Sequence, residues 1–328
     1  MSDAGDRASL DEAVARLGAA RKVLLTCHLG PDGDALGSMS ALGALLRDAG
    51  RTVVLFNPDP APRNLRFLPG LDGLVKHPGG PHDLTIVVDC GDAQLLGPRF
   101  PGRDLTGPLV VLDHHAASRP FGDVYVCDPG AASVGVLVAR LAAALGWPIS
   151  PEAAQGIYVS LVSDTGSFRY ANTNAEAFNL AAGLVAERGV DPWAVAQKLG
   201  EEVPLARYRL LAAALGSLEL VHGGKVAVMT VTEEMVRQAG AKWEHSEGLV
   251  NYARAIEGVE CGVFIAPSRD GGTRISLRTK GGVDAGAVCT PFGGGGHRGA
   301  AGCSMPTTLA EAKKTILEAV GAALPTSA

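Results

Sequence analysis

The apolar and polar positions fall into two regimes along the chain. Up to about residue 170, short apolar runs at 22–27, 52–56, 84–88 and 109–112 alternate with longer segments of helical spacing at 34–46, 132–144 and 151–161. The runs carry no polar face, which is the pattern of strands buried on both sides within a parallel sheet. Gly30, Pro31 and Gly33 end the first run, and Asp34 is placed to cap the helix after it. From 174 to about 220 the pattern turns helical and polar, punctuated by Gly189, Pro192 and Pro204. Beyond it, 225–231, 261–266 and 274–277 read as strands and 308–323 as a closing helix. The predicted fold class is α/β, a mostly parallel sheet with helices on both faces, followed by a smaller C-terminal α+β domain. The expected boundaries are a first domain over 1–190, a helical connector over 191–222 and a second domain over 223–328. A length of 328 residues suits two cores better than one.

Composition narrows the function classes. Hydrophobic residues at 47 % and charged residues at 19 % supply sizeable cores and leave no segment that reads as disordered. The net charge of −5 resides in residues 1–190, with 15 Lys+Arg against 20 Asp+Glu, while the remainder is balanced at 14 against 14. Bound divalent cations would offset that excess, so an acidic domain need not repel an anionic substrate. No long basic stripe for duplex nucleic acid is present. Neither a secretion signal nor an apolar stretch of membrane-spanning length is seen. The six cysteines stand singly inside apolar segments, as reduced core residues of a cytoplasmic protein do.

Acidic and imidazole residues gather in four clusters, each placed where a predicted strand ends. They are His28, Asp32 and Asp34 after the first run, Asp89 at the end of the third, Asp113-His114-His115 after the fourth, and Asp164. A single carboxylate there is ordinarily a turn or cap residue. Their recurrence at successive strand ends, where open α/β sheets bind ligands, points to a site. Carboxylates and imidazoles without thiolates suit manganese or magnesium better than a thiolate zinc site. Strand alternation turns Cys27 and Cys90 away from a cleft faced by His28 and Asp89. Downstream, Arg274, Ser276, Arg278 and Lys280 share one face of a strand that precedes Gly293–Gly296 and His297-Arg298. The strand could be a charged edge, but its position favours phosphate contact by Arg278, whose fork suits a terminal phosphate.

These motifs, in this order, resemble the DHH family of phosphoesterases, and within it the type that degrades nanoRNA and 3',5'-bisphosphate nucleotides. The match takes in His28-x-x-x-Asp32-x-Asp34, Asp89, Asp113-His114-His115, Asp164-Thr165-Gly166-Ser167-Phe168-Arg169-Tyr170, and a C-terminal Phe292 to Gly302 segment. The resemblance implies two divalent cations, manganese before magnesium. His28, Asp32 and Asp89 would hold one; Asp34, Asp89, His114 and Asp164 would hold the other, with Asp89 bridging. Asp113 would fix an imidazole, and His115 would meet the substrate phosphate and help protonate the leaving oxygen. Arg169 would lie near the cleft, and Gly294, Gly295, Gly296, His297 and Arg298 would line it. The implied activity is hydrolysis of very short RNA oligomers and of 3'-phosphoadenosine 5'-phosphate. Cyclic or linear dinucleotides are the alternative substrates. A pyrophosphatase is disfavoured by the segment around His297, and a non-enzymatic nucleotide sensor by the fact that every expected ligand position is filled. Expected partners are short RNA and small phosphorylated nucleotides, neither duplex nor membrane, with a homodimer open.

Overall fold

In a computed structural model the described residues are 3–201, 203–268 and 271–325. Two compact units, Met1–Glu202 and Val203–Ala328, each have their own core. The chain passes between them inside the 191–222 segment. Its helices are therefore divided, α7 (Pro192–Ala196) falling in the first unit and α8 (Leu205–Gly216) in the second.

The first unit is built on five strands, β1 (Lys22–Cys27), β2 (Thr52–Leu55), β3 (Leu84–Val88), β4 (Leu109–Asp113) and β5 (Val124–Cys127). They lie in the order β2-β1-β3-β4-β5, and every pairing is parallel. All five residues of β3 and of β4 are buried, as strands dominated by Val, Leu and Ile require, and their two polar members, Thr85 and Asp113, are hydrogen-bonded. Strand β5 and the opening helix α1 (Asp3–Ala19) were not predicted. Helices α2 (Gly33–Asp48), α4 (Val134–Leu145) and α5 (Pro151–Asp164) share the main hydrophobic cluster with one face of the sheet. The opposite face buries Val87 and Val111 with Leu96, against which the partly buried Phe100 and Phe121 pack; the single-turn helix α3 (Arg103–Thr106) follows Phe100 in the chain. Helix α6 (Ala175–Arg188) adds Ala177, Ala181 and Leu184 to the main cluster.

Two glycines set how closely α2 and α5 cross. A Cβ on Gly37 would lie 2.7 Å from the Gly156 carbonyl oxygen, and one on Gly156 would lie 2.6 Å from that of Gly37. This close approach places the start of α2 and the end of α5 over the sheet's carboxyl edge. At the amino edge, the Asp83 carboxylate accepts from the Arg21 and Lys22 amides at 3.0 and 2.8 Å and ties the starts of β1 and β3 together.

The second unit is a six-stranded mixed sheet. Its strands are β6 (Glu219–Val221), β7 (Val226–Thr230), β8 (Cys261–Pro267), β9 (Thr273–Thr279), β10 (Gly295–His297) and β11 (Ala300–Met305), in the order β10-β11-β9-β8-β7-β6. Only β7 and β8 pair in parallel. Helices α11 (Ala285–Cys289) and α12 (Leu309–Ala323) cover one face. On the other face, α8, α9 (Glu233–Gln238) and α10 (Val250–Arg254) pack against Ala227, Met229 and Phe264. Among the described residues no helix is long and apolar enough to cross a membrane.

Candidate metal centre

Sheet order explains why residues distant in sequence meet. Strands β1, β3 and β4 are neighbours in register, with Cys27 beside Val88 and Val88 beside Leu112. His28, Asp89 and Asp113 therefore leave or end adjacent strands, about one strand spacing (~4.8 Å) apart. Asp32 is the N-cap of α2, its Oδ1 accepting from the Asp34 and Ala35 amides at 3.1 Å. This corrects the expectation that Asp34 caps the helix. Because the helix begins at Gly33, Asp34 lies in its first turn and points inward, where it is 2 % exposed.

Asp34 is held from several directions. Its Oδ2 accepts from the Val134 amide at 2.9 Å, at the start of α4, and its Oδ1 accepts from the Ser160 hydroxyl at 2.6 Å and the Ser38 hydroxyl at 3.1 Å. Asp164 stands at the end of a helix and not of a strand as expected: it is the last residue of α5, where the helix dipole disfavours a negative charge.

These donors form three interlocking groups: His28, Asp32 and Asp89; Asp34, His114 and Asp164; and Asp89, His114 and His115. Within each, one ligand atom per residue lies within 4.8 Å of the others, a spacing that could hold a cation. His28 Nε2 is 3.6 Å from Asp89 Oδ2 and 4.0 Å from Asp32 Oδ1. His114 Nε2 is 3.4 Å from Asp34 Oδ2, 3.6 Å from Asp164 Oδ2 and 3.8 Å from Asp89 Oδ1. Most of these distances are long for hydrogen bonds. Donors about 2.0–2.2 Å from one divalent cation stand roughly 3–4 Å from each other, which is the range seen. In the neutral form, both imidazoles can donate Nδ1–H to a backbone carbonyl, His28 to Leu29 at 2.8 Å and His114 to Ala131 at 3.1 Å. That leaves Nε2 as the lone-pair atom facing the cluster, the arrangement that metal-binding histidines adopt.

Asp89 stands at the junction. Its backbone is left-handed, with φ 55°, a conformation that Asp tolerates better than most residues. The carboxylate is 3 % exposed, and its Oδ1 is buried with no hydrogen-bond partner. An unpartnered buried carboxylate oxygen is costly unless something compensates its charge, and a divalent cation fits that need. The left-handed turn also removes the alternation argument for Cys90. That thiol is nonetheless packed in the smaller hydrophobic cluster with its pKa pushed up to about 12 by burial, and Cys27 lies in the main one.

The electrostatics are those of crowded anions. Burial, then Asp89 and Asp164, raise Asp34 well above the ordinary carboxylate value. Burial lifts Asp164 to about 6; His114 opposes the lift and Asp89 adds to it. Asp32 is also raised, by burial and then by Asp89. Burial favours neutral His28, yet the Asp89 carboxylate outweighs it and raises the imidazole to about 9. Asp89 itself is lowered: burial works against ionisation, but His28, His115 and His114 prevail.

Asp113 is fully buried and makes a different set of contacts. Its Oδ1 is 2.6 Å from His115 Nδ1, and its Oδ2 accepts from Tyr125 at 2.6 Å and from the Ser118 hydroxyl. Burial opposes its ionisation, but these donors, His115 foremost, hold it at about 2. Arg169 is exposed in the loop after α5, its Nε donating to the Gly166 carbonyl at 2.7 Å.

In the second unit the glycine segment is less of a loop than expected. Gly295 and Gly296 belong to edge strand β10, paired with Gly302 and Ala301. A Cβ on Gly294 would lie 2.2 Å from the Gly302 carbonyl oxygen, and Gly296 has φ 139°. His297 ends the strand, and its side chain lies outside the described residues. Half-buried Arg278 stands opposite Ala300 and donates Nη1 to the Leu277 carbonyl at 2.9 Å. Arg298 is exposed and donates to the Gly281 carbonyl at 3.3 Å.

Sequence reasoning missed several supporting residues. Asn57 donates to the His28 carbonyl at 2.9 Å, Asn172 donates to Asp164, and Ser118 and Tyr125 hold Asp113. Ser160 had a usable signal, since it precedes Asp164 by one helical turn. Asn57 had a weaker one, following a predicted strand. Tyr125 and Asn172 had none.

Comparison with known proteins agrees with this geometry. Residues 22–161 match the DHH family, N-terminal domain, and residues 223–325 match the DHHA1 domain. A Thermus thermophilus protein described as a bifunctional oligoribonuclease and PAP phosphatase, NrnA, is 33 % identical over 91 % of this chain and 89 % of its own. This chain belongs to the DHH family of phosphoesterases. A Bacillus subtilis NrnA of the same description is 27 % identical over 86 % of this chain and 89 % of its own. Among solved structures, an exopolyphosphatase-related protein from Bacteroides fragilis superposes with a TM-score of 0.88 at 25 % identity, covering 96 % of each chain. DHH phosphoesterases are hydrolases of phosphoester bonds that use divalent metals, and this chain is a member of that class.

Proposed function

We propose that this hydrolase cleaves phosphoester bonds in very short RNA oligomers and in 3'-phosphoadenosine 5'-phosphate, with two divalent cations, manganese first. The observation that carries the reading is that Asp89 belongs to two of the three donor groups and shares His114 with the third, while one of its carboxylate oxygens is buried with no hydrogen-bond partner. Relatives named for the same two activities support the substrate class. In this reading His28, Asp32 and Asp89 hold one cation, and Asp34, Asp89, His114 and Asp164 hold the other. When bound, such a pair polarises a phosphoryl oxygen and makes water nucleophilic at neutral pH.

The chain's own groups do the rest. Asp113, ionised and fully buried, fixes the tautomer of His115 by accepting its Nδ1–H, which turns Nε2 into the working nitrogen. Burial opposes protonation of His115, but the Asp113 and Asp89 carboxylates outweigh it and favour the imidazolium, so His115 contacts the substrate phosphate and passes its Nε2 proton to the leaving oxygen, returning to the neutral Nδ1–H form. The fully buried Ser160 hydroxyl and the Val134 amide keep Asp34 from swinging out to solvent. In the second unit, Arg278 takes a terminal phosphate with its fork, aided by His297, Arg298 and the close-packed glycines 294–296. Within the first unit, Arg169 is a substrate-binding candidate in its own right.

Side-by-side turnover on a dinucleotide, a pentanucleotide, 3'-phosphoadenosine 5'-phosphate and a cyclic dinucleotide, each with manganese, tests the reading. Turnover of the pentanucleotide and the bisphosphate as well as the dinucleotide, each above that of the cyclic dinucleotide, is expected. Preference for the cyclic dinucleotide, or tight nucleotide binding without product, overturns it.

A further inference from the structure

One short stretch of backbone touches the supports of all three members of one donor group. Between β5 and α4, the Ala131 carbonyl faces His114 Nδ1 at 3.1 Å, and the Val134 amide donates to both oxygens of Asp34 at 2.9 and 3.1 Å. The Ala132 carbonyl between them accepts from Asn172 Nδ2 at 2.9 Å. The same amide nitrogen donates to Asp164 Oδ2 at 2.9 Å, with the Asp164 carbonyl at 3.2 Å. Asp164, arriving from the end of another helix, is thus tied to the 131–134 backbone through one side chain.

The chain spends unusual backbone to make that connection. Gly166, Ser167 and Phe168 are consecutively left-handed, with φ of 57°, 60° and 62°. For Ser and Phe this conformation is unfavourable, because the Cβ crowds the following carbonyl oxygen. A Cβ on Gly166 would lie 2.4–2.6 Å from the Tyr170 ring, so that ring closes over the glycine and the chain doubles back. Residue 172 then returns to the helix end it had just left.

We infer that Asn172 is a positioning residue that fixes Asp164 relative to His114 and Asp34 and so sets the affinity of that group for its cation. The inference rests on the two-cation reading above and extends it to a residue which never meets substrate. Removal of a partner that orients a metal ligand lowers metal affinity about 10–100-fold. The His28, Asp32 and Asp89 group, which makes no hydrogen bond to Asn172, keeps its affinity.

The test is Mn²⁺ binding to the full chain, followed through the electron paramagnetic resonance signal of free ion, for the natural protein, Asn172→Leu and Asn172→Ala. Leucine keeps the volume and removes the donor; alanine carries the test should the larger apolar group prevent folding. Circular dichroism in chelator monitors the fold. The expected result is two sites in the natural chain, with one weakened 10–100-fold in the variants and the other within about twofold. In an Asp164→Ala background, Asn172→Leu should add no further loss, because the two act as a unit. Two unchanged sites in a folded variant, or equal weakening of both, overturns the role of Asn172 alone. A natural chain that binds fewer than two ions brings down the two-cation reading as well.

Discussion

At the scale of single residues, Asp89 combines the strongest functional claim with an unusual backbone. Asn is the replacement that best tolerates its left-handed conformation while removing the charge. Asp89→Asn should fold with a metal-free melting temperature at or above that of the natural chain, and should lose hydrolysis by at least about a thousandfold. Asp89→Val should lose activity and about 1–3 kcal/mol of stability besides, because a β-branched residue strains at φ 55°. Chemical denaturation of the two variants in chelator separates charge from strain. Near-normal turnover by either would remove Asp89 from the centre.

The same residues predict an inverted pH response for the metal-free chain. Asp32, Asp34 and Asp164 have folded-state values above their unfolded ones, so ionising them costs stability, and the cost is relieved as pH falls. His28 is raised to about 9 and contributes stability that is complete below about 6.5 and lost as pH rises through 9. Both effects have the same sign. Asp89 and Asp113, lowered in the folded state, contribute in the opposite sense only at pH below about 4. The melting temperature in chelator should therefore rise between pH 9 and pH 6, and manganese should add more at pH 8 than at pH 6. A melting temperature in chelator that falls toward pH 6 would contradict this balance.

At the scale of elements, the α2–α5 crossing holds the centre in shape. Gly156→Ala inserts a methyl group 2.6 Å from the Gly37 carbonyl and 2.7 Å from the Ala41 amide, both backbone atoms that cannot rotate away. About 1–3 kcal/mol of destabilisation is expected, with weakened cation binding, since Asp34 and Asp164 ride on the separated helices. In the second unit, Arg278→Ala should mainly raise KM for short oligomers, and unchanged kinetics would reject its phosphate contact.

Element by element, the physics decides what could be read beforehand. Strands β1, β3 and β4 were legible because burial on both faces demands unbroken apolar runs, and the residues at their ends followed. Strand β5 escaped because Val-Tyr-Val-Cys is short and one face carries Tyr125, whose hydroxyl is spent on Asp113. Strands β10 and β11 escaped because glycine and alanine carry little strand signal, and pairing, not propensity, makes them extended. The sequence places Asp34 at the cap because spacing alone does not distinguish Ncap from the first turn when both positions hold aspartate.

At the scale of the whole chain, cation binding and stability are linked. A ligand that binds only the folded form stabilises it by about 2.7 kcal/mol at a hundredfold excess over Kd. That gain should be local: manganese should slow hydrogen exchange in α2, α4, α5 and the carboxyl ends of β1, β3 and β4, and leave β7 and β8 unchanged. Equal protection of β7 and β8 would show that the second unit also takes up the ion.

Parallel strands give the first unit two rims with different tolerances. Every candidate ligand sits at the end toward which the strands run, while the start of β3 is approached through exposed Gly79 and Gly80 and is held just beyond them by His82, bonded to the Leu105 carbonyl, and by Asp83. A fluorescent reporter domain grafted between those two glycines should therefore leave manganese uptake within about twofold, since loop lengthening costs little. That rim is a handle for following the protein in solution without disturbing its chemistry.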